Sequence, residues 1–139
     1  VGKLDFGGFG KGYLIDKLAA ILENELGVRH YLINGGGDIY ASSDEDNNPI
    51  GISMQHPQDV DKQVGQAKLY HQAFAASSPH VRSWYDQHGE KQHHLVGSSR
   101  QAGSSFVLAC SATWADIYAT VLSLDPDFAP PQDVWSRCL

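Results

Sequence analysis

Four glycines stand within six residues near the start of the chain, Gly7, Gly8, Gly10 and Gly12, and a helical repeat follows at once. Leu14, Ile15, Leu18, Ile21, Leu22 and Leu26 recur at three- and four-residue intervals, so 12–27 reads as a helix whose apolar stripe is expected in the core. Gly27 suits the left-handed stop after its last turn. Glycine lets a backbone approach a ligand closely, and the first amides of a helix have no partners within it. Together they make a ready site for phosphate, to which Lys11 adds a point charge. Two familiar phosphate loops are excluded. Asp5 stands where the P-loop needs its first glycine and Gly12 where it needs Ser or Thr, while Tyr13 replaces the third glycine of the dinucleotide fingerprint. The plain alternative is a tight turn with a helix cap.

Behind this helix the periodicity changes. Residues 28–33 and 39–41 are β-prone and flank Asn34-Gly35-Gly36-Gly37-Asp38, a pattern expected of a hairpin or a sharp strand connection. The glycines there allow positive φ, with Asn34 and Asp38 offering polar groups at the rim or capping their own turn. Residues 42–48 read as a surface loop, 49–54 as a half-buried strand and 56–66 as a polar loop. Short strands are expected at 67–70, 73–76, 81–85, 92–96 and, as the last of them, 105–110. A second helix spans 111–124, with Ser111 as N-cap and Asp125-Pro126 as its stop. No internal repeat is visible. Helix, consecutive strands and helix predict an α+β fold, a mostly antiparallel sheet with two helices packed on it. Residues 1–126 form one unit in this reading, and the Pro-rich 127–139 an irregular tail.

At 139 residues the chain can bury a core without staples, so Cys110 and Cys138 read as one buried thiol and one near the tail. The sequence starts without Met, signal peptide or targeting segment, and is expected to be a piece of a longer polypeptide cut just before the glycine turn. Ten Lys and Arg against sixteen Asp and Glu give a formal charge of −6, which lacks the footprint of a nucleic-acid binder or a reader of anionic membranes. Apolar runs are too short for a transmembrane segment. A phosphorylated small molecule stays open, because a local nest of amides binds phosphate against the net charge.

Two further groups could carry chemistry. Asp116 and Thr120, four apart on the second helix, place a carboxylate and a hydroxyl on one face. Two oxygens suit Mg2+, which keeps waters and completes its octahedron from substrate phosphates and a carbonyl; the plain reading is an Asp at the positive helix end and a solvated Thr. His93 and His94 are neighbours on a strand and point to opposite faces, so one can enter a site as a general base or hydrogen bonder. Otherwise they are surface histidines.

Taken in order, these stretches resemble the ApbE-type FAD:protein FMN transferases. That family's D-x-G-G-x-A-K-G-Y-x-x-D is similar to Asp5–Asp16 here, and its N-x-G-G-D-I to Asn34, Gly36, Gly37, Asp38 and Ile39. Its A-V-A-T-S-G, ending in an Arg, resembles Ala73–Ser78 with Arg82, its H-H-I-I resembles His93–Val96, and its S-x-x-x-A-D-A-x-A-T resembles Ser111, Ala115, Asp116, Ala119 and Thr120. Gly97 stands where the family has Asp, and family members are about twice this long. The resemblance implies the C-terminal part of an ApbE-like, T-fold-related body. It implies Mg2+-dependent transfer of FMN from FAD to a Ser or Thr hydroxyl of a target flavoprotein, with AMP leaving. Alternatives are hydrolysis of FAD to FMN and AMP, a non-catalytic flavin- or nucleotide-binding relative, and an inactive fragment. By resemblance Asp116, Thr120 and the Gly10 carbonyl hold the metal. Lys11 and the amides around Gly8, Gly10 and Gly12 hold phosphates, Asn34, Asp38 and Ser77 line the nucleotide pocket, and His94 acts with Asp116 in catalysis. The family further suggests the cell envelope or periplasm, as a lipoprotein.

Overall fold

A computed structural model describes residues 6–43, 48–79, 83–93 and 103–139. The first helix, α1 (Gly10–Asn24), grows directly out of the glycine turn, where the Phe6 carbonyl accepts the amides of Phe9 at 3.3 Å and Gly10 at 2.8 Å. It stops where Gly27 adopts φ +67°, and the Val28 amide reaches back to the Leu22 carbonyl at 2.8 Å. Strands β1 (Tyr31–Asn34) and β2 (Ile39–Ser42) form the expected antiparallel hairpin, with Gly36 and Gly37 at φ +84° and +111°, conformations that L side chains rarely adopt.

β5 (His71–Ser77) pairs with β2, β8 (Ser105–Ala109) with β5, and β9 (Trp135–Cys138) with β8, giving an antiparallel sheet of order β1-β2-β5-β8-β9. β3 (Ile50–His56) and β4 (Asp59–Leu69) form a separate ribbon, and β6 (Ser83–Tyr85) with β7 (Lys91–His93) another. The second helix, α2 (Ala112–Leu124), begins at the Ser111 cap, whose hydroxyl accepts from the Trp114 amide at 3.3 Å.

Strand alternation sorts the core into two layers. Ala73 and Ala75 of β5 and Val107 and Ala109 of β8 face the helices, meeting Ile15, Ala112, Ala115, Ala119 and Leu122. Phe74 and Phe106, on the opposite face, meet Ile52, Met54 and Leu69 of the β3–β4 ribbon. Small residues thus bring the helices close to the sheet, and large ones fill the ribbon side. The fold is α+β, two helices on a mostly antiparallel sheet, as the element order predicts.

Four expectations need correction. The polar run 56–66 largely belongs to β4: only one side of the ribbon meets the core, and irregular register around Gln55 breaks the alternation that marks a strand. The tail is not irregular throughout, because β9 pairs with β8 and Leu139 exchanges backbone hydrogen bonds with Ser104 at 2.8 and 3.1 Å. Cys110 is exposed, as is Cys138. Most of the leucine stripe of α1 is not core either: Ile15 is buried, while Leu14, Leu18, Ile21 and Leu26 are exposed, Leu14 by 59%. The helix buries the side carrying Gly12, Ile15 and Ala19, and the missing side chain at Gly12 permits its approach to α2. A Cβ on Gly12 would lie 2.3 Å from the Ala112 carbonyl oxygen.

Candidate functional site

The two helices cap one another. Asp116 of α2 accepts the Gly12 amide of α1 on Oδ2 at 3.1 Å. Asp16 of α1 accepts the first amides of α2, Ala112 at 2.8 Å and Thr113 at 2.9 Å, together with the Thr113 hydroxyl. Each carboxylate thus satisfies donors that a helix leaves open and meets the positive end of the other macrodipole. The glycine contact at Gly12 makes the exchange possible by letting the two N-termini meet.

In front of this crossing lies a cavity of about 800 Å³. Gly8 and Lys11 reach it from the glycine turn and α1, Asp38 from the turn of the β1–β2 hairpin, Ser77 from the end of β5, and Asp116 and Thr120 from α2. Phe74 and Phe106 stack at 6.3 Å between centroids and line its apolar side with Met54. This size and mixture, a largely apolar wall with a few convergent polar groups, suits an organic ligand of cofactor dimensions.

Asp38 and Asp116 are buried, 3% and 4% exposed, and share one ammonium. Lys11 Nζ forms a close ion pair with Asp38 and stands 3.3 and 3.4 Å from the two oxygens of Asp116. Burial alone would lower the pKa of Lys11, but the hydrogen bond and charge of Asp38, joined by those of Asp116, outweigh it and hold the ammonium above its ordinary value. Thr120 stands one turn beyond Asp116, and a Cβ added at Gly8 would touch its methyl at 3.4 Å. Among the described residues no three His, Cys, Asp or Glu side chains group to hold a metal.

The structure therefore brings Gly8, Lys11, Asp38, Ser77, Asp116 and Thr120 to one cavity. It does not bring Gly10, Gly12 or Asn34 to its lining. The Gly10 amide is donated to Phe6 and that of Gly12 to Asp116, so the amide cradle is narrower than the glycine count suggests. Asn34 caps its own turn, its Oδ1 accepting from the amides of Gly36 at 3.0 Å and Gly37 at 2.9 Å. His94, Asp5 and Arg82 lie outside the described residues.

Two features escaped the sequence reading. One is the capping role of Asp16, which only the helix crossing reveals. The other is a set of buried serines: the single proton of the Ser123 hydroxyl is shared between the carbonyls of Gly103 at 2.8 Å and Ser77 at 3.1 Å, and Ser105 Oγ donates to the Ala119 carbonyl at 2.6 Å. They tie α2 to β5 and β8 beside the cavity. Four Ser residues within 104–123 carry no spacing that would single them out.

Solved structures share this arrangement of elements. The ApbE protein of Thermotoga maritima is 24% identical, with a TM-score of 0.72 over 88% of this chain and 41% of its own. The flavinyl transferase ApbE of Pseudomonas stutzeri is 23% identical, with a TM-score of 0.67 over 88% and 39%. The flavin transferase ApbE of Vibrio cholerae is 25% identical, with a TM-score of 0.66 over 87% and 40%. The chain spans about two fifths of the length of these structures. No curated protein matches it. The family model for ApbE matches residues 2–129, nearly the whole chain, and with the fold in agreement the chain belongs to the ApbE family.

Proposed function

We propose that this chain supplies the phosphate- and metal-binding part of a flavin transferase, which passes FMN from FAD to a Ser or Thr hydroxyl of a target flavoprotein. The observation that carries this reading is the shared cavity. Lys11 and Gly8 come to it from one end of the chain, Asp116 and Thr120 from near the other, and Lys11 and Asp116 are 105 residues apart in sequence.

The donor set fits Mg2+. Asp116 is buried, yet its contacts with Lys11 at 3.3 and 3.4 Å are longer than the roughly 2.8 Å of a tight charge-assisted bond, which leaves lone pairs free to bind. A carboxylate and a hydroxyl one turn apart are hard oxygen donors of the kind Mg2+ takes with substrate phosphates. Bound there, the ion neutralises charge on the pyrophosphate. Lys11 stands beside the same phosphates and adds positive charge, and the absence of a side chain at Gly8 keeps the wall open to them. Phe74, Phe106 and Met54 offer an apolar surface to a ring system.

In the reaction the acceptor hydroxyl oxygen forms a bond to the FMN-side phosphorus. The bond from that phosphorus to the bridging oxygen breaks, and AMP departs with that oxygen. The hydroxyl proton passes to a base, for which His94 is the candidate by resemblance. Such transfers depend on positioning and charge stabilisation, which these side chains provide.

Incubation with FAD and Mg2+, with AMP followed by chromatography and flavin fluorescence followed on a denaturing gel, tests the reading. AMP together with a fluorescent acceptor band supports transfer. AMP with free FMN points to hydrolysis, and the absence of AMP from protein carrying all the family's elements would sink both.

A further inference from the structure

Building on the metal-binding reading above, the geometry points to Lys11 as a resident counter-ion at Asp116, an internal cation that a divalent metal displaces onto Asp38 as it binds. Two buried carboxylates face one ammonium, and a buried carboxylate without a cation is costly. Lys11 serves both, but unequally. Its close pair is with Asp38, whereas Asp116 lies at 3.3 and 3.4 Å, a stand-off rather than a tight bond. The lysine is also free to swing: its ammonium sits on a four-carbon stem and its side chain keeps 35% exposure. Leaving Asp116 therefore breaks only loose contacts and keeps the strong one.

Asp116 is held in place independently of Lys11. The Gly12 amide fixes Oδ2 at 3.1 Å, so the carboxylate does not collapse when the ammonium moves away. Asp38 has a corresponding duty. It keeps the ammonium at the cavity wall, beside phosphates carried in with the metal, instead of releasing it to solvent. Lys11 thereby protects the fold while the metal is absent and lends its charge to the substrate once the metal is present.

Mn2+, with its paramagnetic signal, serves as the probe, and binding is read without any turnover. The protein and its Lys11→Met variant are titrated and free Mn2+ is followed by electron paramagnetic resonance. Lys11→Met is expected to bind at least about tenfold more tightly, because a competing charge a few ångströms away has gone. Lys17→Met, which removes the same charge from an exposed position over the Tyr13 ring, is expected to change affinity less than about twofold. Asp116→Asn is expected to abolish binding at this site.

A second measurement covers loss of folding in Lys11→Met. In the unmutated protein titrated with diamagnetic Mg2+, the ε-methylene resonance of Lys11, assigned by its absence in Lys11→Arg, is expected to shift with saturation while that of Lys17 stays still. Equal Mn2+ affinities for the protein and Lys11→Met, or a Lys11 resonance indifferent to bound Mg2+, would overturn the displacement. Asp116→Asn would still weaken binding in that case, and the flavin-transfer reading would survive. Mn2+ binding that Asp116→Asn leaves untouched overturns both.

Discussion

Asp16 and Asp116 do the same structural task from opposite helices, and they differ in what they have left over. Asp16 accepts two backbone amides and a hydroxyl, all from the start of α2, which uses about three of its four lone-pair positions. Asp116 accepts one amide, with a loosely placed ammonium as its other partner, and it faces the cavity. A carboxylate whose donors all come from one helix end fixes structure. One with lone pairs to spare, held rigidly and aimed at open space, can bind something. Asp116 is buried and Asp16 half-buried, yet both answer the N-terminus of the other helix; the count of donors tells their roles apart.

The severest way to break this comparison is to separate the two helices. Gly12→Ala places a methyl 2.3 Å from the Ala112 carbonyl oxygen, 2.6 Å from its carbon and 2.8 Å from the Thr113 Cα, all backbone atoms that cannot rotate aside. A cost of about 3 kcal/mol or more is expected. Both caps should weaken together, so urea midpoint and AMP release should fall in the same variant. A Gly12→Ala protein of unchanged midpoint would mean that the helices do not cross this tightly.

Asp116→Asn sharpens the contrast. The amide oxygen of Asn can still accept from Gly12, so the fold should hold, while AMP release should fall by about a hundredfold or more through lost charge at the phosphates. Asp16→Asn should do the reverse. One side of the carboxamide no longer accepts, leaving an α2 donor without its partner, at a cost of about 2 kcal/mol. Activity per folded molecule should change little. If the two variants behave alike, the inference from donor count is wrong.

Much of the fold was legible because local chemistry and tertiary position agree. Gly27, Gly36 and Gly37 occupy the positive-φ positions that their turns demand, Ser111 caps α2, and the β1–β2 hairpin closes around its glycines. Legibility failed where one pattern has two physical outcomes. Leucine at helical spacing predicts a buried stripe, but α1 approaches α2 through Gly12 with Ile15 in the core, and Leu14 and Leu18 turn outward. A polar run predicts a loop, but β4 is a ribbon strand with one face in water.

The site shows the same division. The Asp116–Thr120 pair could be read from helical spacing, and both residues reach the cavity. Asn34 could not be resolved in the same way, since a rim asparagine and a turn-capping asparagine share one sequence; Gly36 and Gly37 decide for the cap. Gly12 looked like part of a phosphate cradle, whereas its hydrogen atom is what lets two helix ends touch.

The smallest expected effect uses a third carboxylate of the helices as a control. Glu23 accepts the Tyr31 hydroxyl at 2.6 Å, a neutral donor far along α1 from the crossing. Burial first, then the hydrogen bond and charge of Glu23, hold the Tyr31 phenol above its ordinary value of 10.0, and Tyr40 shifts in the same direction. A raised folded-state value means that Tyr31 supports the fold fully below pH of about 10, where the phenol is neutral in both states. Above that, the unfolded chain ionises first, so this support is lost as the pH climbs toward the folded-state value. Tyr31→Phe should therefore flatten the decline of melting temperature between about pH 10 and 11 while leaving Mn2+ binding untouched. An unchanged alkaline slope would mean that Glu23 does not hold the phenol. Altered Mn2+ binding would mean that this end of α1 is coupled to the cavity, contrary to the separation between carboxylates that hold structure and the one that faces the cavity.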